Sequence, residues 1–579
     1  MTVKKNLLSG KLGTIAFYGV LFLIFLAPIF RLLLMSLKGP EGAYSLANFT
    51  AMTQDKRTWE AMGNTLVIAV GSTILATCAG TIMGFVQAYT NIRYKKPLEL
   101  LVLLPFIIPS YIITLSWSGL LATQSTVSRF LLSLGLPAIN IYTRAGIIAV
   151  LGLVNTPIVY LSVIHTLRKI PLDMDWAARA CGFSPLETLW KVDLKEALPA
   201  IISGSLLSFL ACIDNFAVPA FLGISSNITV LSTYIYEKAI GFGPESFAQA
   251  AALSVVLSII ALCGTVAADK AVRTRSALDS IKEDYTPRIN LAAGARRKLE
   301  LLLLAAWSLI DLVPLVDMVL NGFLKNYGMP LTADNTTTEN YDFLFSSSSV
   351  LSAIRNSLIL ASITCLLCII IGTALAYWKL RKHSHAAKLA EQCASLTYAL
   401  PGIVLALAMI FHWVEPFPGV RPDIYGTIVL LLIAYFTRYL ILQIKGSSTA
   451  LMAINPELED AVRSSGRSQF VLWKQILLPL LIKPIVANCS LIFISSLTEL
   501  TLSSLLAGAG TKTIGLTIFN LQQGGDYSIS AALSTLIVLL ILGGYLVSLT
   551  WNIKLKGAAA HDAISGTRDA KVREYSGTN

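Results

Sequence analysis

Apolar runs of about twenty residues or more recur along the whole chain, separated by polar connections. Each has the length that an α-helix needs to cross a bilayer core. The runs predict helices near 12–36, 62–90, 98–122, 143–166, 199–222 and 248–268. A second set falls near 299–321, 353–378, 392–413, 425–445, 485–506 and 529–551. Twelve crossings return the chain to the side on which it began. The expected fold class is therefore an all-α polytopic membrane protein.

Composition sharpens this picture. The 579 residues are 55% hydrophobic and 13% charged, about half the charge of an average soluble domain. Soluble enzymes, disordered chains and disulfide scaffolds are excluded, and the lipid bilayer is the main solvent. The net charge of +12 raises nucleic acid as a partner, but the basic residues sit between apolar runs instead of forming a basic domain. Lys4, Lys5 and Lys11 precede the first run; Arg93, Lys95 and Lys96 follow the second. Arg168, Lys169, Arg179, Lys191 and Lys195 lie between the fourth and fifth. All fall on one side if the crossings alternate, which makes that side and both termini cytoplasmic. The first run has no small-residue cleavage site and reads as a retained helix. Cys365 and Cys368 form a C-x-x-C inside an apolar run, with no second pair and no nearby His, so they read as small buried hydrophobes. No metal site of recognisable spacing is present.

The two halves repeat. Asn64-Thr-Leu-Val-Ile matches Asn356-Ser-Leu-Ile-Leu; Gly80-Thr81 matches Gly372-Thr373; Pro109 matches Pro401; Asp214 falls opposite Glu499. Six crossings per half insert both halves the same way up, giving two parallel repeats about an axis along the membrane normal, with a pathway between them. The division is 1–268, first half; 269–298, basic cytoplasmic linker; 299–556, second half; 557–579, a polar cytoplasmic tail without apolar periodicity.

One loop pattern occurs once in each half. The first reads Pro171-Leu-Asp-Met-Asp-Trp-Ala-Ala-Arg-Ala-Cys-Gly182, and the second Pro456-Glu-Leu-Glu-Asp-Ala-Val-Arg-Ser-Ser-Gly466. Pro and acidic residues suit a helix start, and the glycine suits its end. A second amphipathic piece with Trp190-Lys or Trp473-Lys leads back into the membrane. Two copies of an element at equivalent places imply a cytoplasmic partner with two equivalent clefts.

These loops resemble the E-A-A-x-x-x-G motif of type I ABC importer permeases. The two fused six-helix halves are similar to the ferric-iron, thiamine, polyamine and phosphonate group, most closely the ferric-iron type. The resemblance implies that each loop forms a coupling helix that enters a cleft of an ATP-binding subunit. Residue by residue, the motif falls on Trp176, Ala177, Ala178 and Gly182, and on Asp460, Ala461, Val462 and Gly466. Trp176 stands where the motif has Glu, Val462 where it has Ala, and Lys195 where Pro is usual. The implied partners are two copies of a cytoplasmic ABC ATPase and an extracytoplasmic solute-binding protein, with the chain in a bacterial inner membrane. ATP and magnesium belong to the ATPase; this chain carries no cofactor. It has no G-x-x-x-x-G-K-[ST], and Gly508-Ala-Gly-Thr-Lys-Thr513 has Thr511 where Lys is needed. It is expected to transport and not to catalyse.

Ionisable groups at membrane depth are costly and point inward by default. Asp214, Glu499 and Arg438 are pathway candidates, with Pro109, Tyr111 and Pro401 at helix interruptions. Arg438 is expected either to attract an anionic substrate or to pair with Glu499. Arg31 and Asp317 lie near outer helix ends and read as snorkelling; Asp311 is a further membrane-depth group. His412 beside Trp413 is a weak metal candidate. Phosphonate, sugar phosphate, thiamine and polyamine remain open as cargo besides ferric iron. An ion-gradient-driven secondary transporter also suits twelve helices, but leaves the paired loops unexplained.

Overall fold

The computed structural model describes residues 14–39, 42–241, 244–273 and 283–544. The basic N-terminus, part of the linker, the end of the twelfth run and the polar tail lie outside the described residues. Every extended element among those described is a helix. Besides the short helices Ala47–Gln54, Thr126–Ser133 and Glu339–Ser346, those of the first half are α1 (Thr14–Ser36), α2 (Lys56–Tyr89), α3 (Lys95–Ile107), α4 (Ser110–Leu120), α5 (Arg144–Leu167), α6 (Leu172–Ala180), α7 (Pro185–Asp214), α8 (Ala217–Ser226), α9 (Leu231–Ile240) and α10 (Pro244–Arg273). The second half repeats them as α11 (Ala293–Asn321), α12 (Ser348–Arg381), α13 (His385–Ala399), α14 (Gly402–Trp413), α15 (Ile428–Met452), α16 (Glu457–Ser464), α17 (Gln469–Leu497), α18 (Thr501–Leu506), α19 (Ile514–Gly524) and α20 (Tyr527–Gly544).

Ten of these are long and apolar enough to cross a membrane alone. Three bent pairs pass the same test together, α3–α4 (104°), α13–α14 (113°) and α8–α9 (75°), which brings the candidate crossings among the described residues to between ten and thirteen. The first two bends fall at Pro109 and Pro401, as the sequence predicts. Proline disfavours the helical conformation of the residue before it, and Ile108 and Leu400 are both extended.

The runs 199–222 and 485–506 are not single helices. Each breaks where a polar side chain starts a new helix. The Asn215 side chain accepts from the Val218 amide (3.0 Å), and Glu499 from the Leu502 amide (2.9 Å). Hydropathy averages over a break of two or three residues and does not register it.

The duplication extends to fine geometry. A π-helical turn interrupts α1 at Phe22–Leu26 and α11 at the matching Ser308–Leu312. Another occurs at Leu189–Asp193 of α7 and Trp473–Leu477 of α17. The repeated Asn pins a chain reversal in both halves. Asn64 donates to the Thr229 carbonyl (2.8 Å), and Asn356 to those of Gly510 and Lys512 (3.1 Å each). The next residue joins in: Thr65 and Ser357 hydroxyls accept from the amides of Leu231 and Ile514. The loop that superficially resembles a phosphate cradle, Gly508–Thr513, is thus the tip of this reversal. The repeated glycine allows helix contact: a Cβ on Gly80 would lie 2.8 Å from the Tyr160 amide nitrogen, and one on Gly372 2.9 Å from Gln443.

The halves exchange arms. α1 lies along α14 of the second half, with Phe25 edge-on to Phe436. α11 lies along α3 and α4, and its Trp307 donates to the Met83 sulfur (3.1 Å). Arg31 donates to the Glu415 carbonyl of the other half (2.8 Å). Asp317 accepts from Asn321 (2.8 Å). Asp311 is buried within the α11 π-turn. Cys365 and Cys489 sit side by side across α12 and α17 (Cα–Cα 5.9 Å), and Cys368 is buried.

Candidate functional sites

The first site is the pair α6 and α16. Both helices end in a glycine with positive φ, +89° at Gly182 and +71° at Gly466. Their closing bonds match. The amides of Gly182 and Phe183 reach the carbonyls of Arg179 and Ala178; those of Gly466 and Arg467 reach Arg463 and Val462. This is a left-handed C-terminal cap, which glycine adopts without a Cβ penalty.

Burial follows one phase in both. Asp175 and Ala178 face inward, as do Glu459 and Val462. Trp176 and Ala177 face out, as do Asp460 and Ala461. Trp176 is 60% exposed, so the aromatic that replaces the motif's acid lies on the free face. Val462 is larger than the Ala it replaces, and it packs into a small cluster with Leu451 and Leu472. The two inward carboxylates, which the sequence reading did not single out, are held by arginines. Arg381 at the end of α12 reaches Glu459 (2.6 Å) and also donates to the carbonyls of Leu451 and Ile454 (2.9 and 2.8 Å). Tyr377 donates to the same carboxylate (3.1 Å). Asp175 is held by Arg288, from the segment between the halves (2.7 Å). An acid at the same position in both loops was a readable signal for the carboxylates. Nothing in the sequence marked Arg288 apart from its basic neighbours.

The second site is a cavity of about 310 Å³ where the broken helices of both halves meet. Its lining includes Pro109, Tyr111, Asp214, Tyr398, Arg438 and Glu499. Pro401 stands at the start of α14 alongside it. Asp214, at the end of α7, crosses to the second half. It accepts from the Gly402 amide at the start of α14 (2.8 Å) and pairs with Arg438 of α15 (2.6 Å). A carboxylate at a helix N-terminus is favoured by the helix dipole. Arg438 also donates to the Leu400 carbonyl (3.1 Å), which the bend at Pro401 leaves without a helical partner. Arg438 thus pairs with Asp214 and not Glu499. Glu499 turns back into its own half, accepting from Tyr439 and the Leu502 amide. The repeat-related acids occupy one cavity but play unequal parts. The Tyr111 ring is fully buried, and its hydroxyl finds no hydrogen-bond partner among the described residues.

His412 is buried against the ring of Trp413. It stands apart from the cavity lining.

A family model described as binding-protein-dependent transport system inner membrane component matches residues 76–274 and again 368–552. The chain is 22% identical over 488 residues to the Fe(3+)-transport system permease protein FbpB 2 of Haemophilus influenzae, covering 83% of this chain and 87% of that one. It is 24% identical over 518 residues to the probable ABC transporter permease protein y4fN of Sinorhizobium fredii, covering 86% and 88%. A shorter match, 27% over 245 residues, is to the putative 2-aminoethylphosphonate transport system permease protein PhnU of Salmonella typhimurium, covering 42% and 85%.

Proposed function

The chain belongs to the family of binding-protein-dependent transport system inner membrane components, and from that premise we propose that it carries ferric iron into a bacterial cell by alternating access, driven by a separate ATP-binding subunit. The observation that carries the reading is the duplicated α6 and α16. Two short helices with the same capped end and the same free face, one per half, suit a dimeric partner with two equivalent clefts. In this account two ATPase subunits hold one helix each. ATP binding draws the helices together and hydrolysis releases them. The halves rock about the seam that Asp214 and Arg438 bridge.

Iron as cargo is supported by the name of the Haemophilus influenzae relative, an Fe(3+)-transport system permease protein. The cavity suits a hard cation in passage, because carboxyl and phenol oxygens of Asp214, Glu499, Tyr111, Tyr398 and Tyr439 line it. Recognition itself is assigned to an external binding protein. Both termini and the linker are placed in the cytoplasm, following the basic connections.

Capture tests the docking. The full chain in nanodiscs is expected to retain its cognate ATPase, and Gly182→Pro or Gly466→Pro to weaken retention at least tenfold in a correctly inserted protein. Undiminished retention by both variants would contradict the reading.

A further inference from the structure

We propose that Arg288, in the segment joining the halves, is the positioning residue of α6. It takes the place of an arginine that the second half carries at the end of its own second crossing. This rests on reading α6 and α16 as the ATPase-facing elements.

Arg381 is the last residue of α12, and its counterpart as the last residue of α2 is Tyr89. The first half therefore lacks the arginine that clamps α16. Its acceptors are nevertheless in place. Asp175 stands where Glu459 stands, and the carbonyl of Ile170 where that of Ile454 does. Arg288 satisfies both: one guanidinium nitrogen reaches Asp175 (2.7 Å), the other the Ile170 carbonyl. It also reaches Asp193 of α7 at 2.8 Å. The guanidinium arrives from a different strand of chain and does the same work.

Tyr89 completes the exchange. Its ring lies 4.3 Å from the Arg288 guanidinium, its hydroxyl donates to Asp193 (3.0 Å), and its carbonyl accepts from the amides of Arg288 and Ile289 (2.8 and 2.9 Å). The neighbouring residues are stitched down as well. Asp284 donates its amide to the Arg168 carbonyl, and the Asn91 side chain bonds both backbone groups of Leu291. From α6 itself, Arg179 donates to the Arg288 carbonyl (2.9 Å). The Arg288 side chain is 3% exposed. A tether between two halves has no need of such burial. Breaking a buried pair strands its partner charge, so the position of α6 depends on this segment while that of α16 does not.

Hydrogen exchange on the full chain in nanodiscs tests this without the ATPase. Arg288→Ala is expected to speed exchange in 172–180 about tenfold or more, and to leave 457–464 unchanged. Arg381→Ala is expected to do the reverse. Adding Tyr89→Arg to Arg288→Ala should bring 172–180 back to within about threefold of the parent, since an arginine at the corresponding position serves α16. Arg288→Lys, without the planar fork, should restore less. Unchanged exchange in Arg288→Ala, or loosening of both helices that Tyr89→Arg does not reverse, would overturn the proposal. Capture of the ATPase is measured in parallel. If the parent chain captures none, the docking reading fails while the exchange data still judge the clamp.

Discussion

Asp214 and Arg438 meet across the seam between the two halves, carboxylate to guanidinium at 2.6 Å. One belongs to the end of α7 and the other to the middle of α15. Between them they bind the amide of Gly402 and the carbonyl of Leu400, on either side of the break between α13 and α14. A single ion pair thus joins the halves and holds a bent crossing open to the cavity.

Removing one partner strands the other. Arg438→Gln is expected to destabilise the folded chain by about 3 kcal/mol, the lower end of the cost of breaking a buried pair, because Asp214 keeps one face on the cavity. Asp214→Asn with Arg438→Gln should cost less than either single change. Thermal unfolding in detergent compares the three. A double variant as unstable as the sum of the singles would show that the two groups act independently.

The paired asparagines should differ in weight. Asn356 makes two hydrogen bonds to its loop and Asn64 one. At about 1 kcal/mol per bond, Asn356→Ala should lower stability by about 2 kcal/mol and Asn64→Ala by about half that. Urea or heat unfolding followed by tryptophan fluorescence gives the order; the reverse order would refute the assignment.

The two capping glycines have open space at the Cβ position. The cost of Gly182→Ala or Gly466→Ala is then backbone strain alone, about 1 kcal/mol, and Asn should be tolerated better than Ala. ATPase capture should follow the order Gly, Asn, Ala. Equal capture by all three would show that the left-handed cap does not set the docking geometry.

Acid should release the strap beside Arg288. The hydrogen bond from Tyr285 holds the Glu283 carboxyl below its ordinary range, and the Thr286 amide does the same for Asp284. A depressed carboxylate stabilises the docked form above its unfolded value and loses that contribution as pH falls through the folded one. Exchange in 283–286, corrected for intrinsic rate, should rise as pH falls below about 4. A rise near pH 6 would point to another group.

The sequence carried the fold far because bilayer crossing is written in hydropathy and the duplication in a few aligned Asn, Gly and Pro residues. It marked the bends at Pro109 and Pro401, since proline acts locally. It did not mark the breaks after Asp214 and Leu497, which depend on single capping side chains inside apolar runs. At the sites, the motif residues fall on both faces of α6 and α16, Trp176, Ala177, Asp460 and Ala461 outward and Ala178 and Val462 inward, and the motif does not mark what anchors the buried face. The partner of Asp175 comes from a distant segment, and charge patterning alone could not tell Arg288 from its basic neighbours. Arg438 was expected to have Glu499 as its possible partner within the same half. The structure gives it Asp214, because the bend at Pro401 brings an acid from the opposite half to its side.

The account is tested most directly by uptake into sealed proteoliposomes holding the chain with its cognate ATPase, supplied outside with ferric-loaded binding protein and inside with ATP. It predicts that radiolabelled iron accumulates against its gradient, that omitting the ATPase abolishes this, and that an imposed ion gradient does not restore it. Uphill accumulation by the chain alone would contradict it.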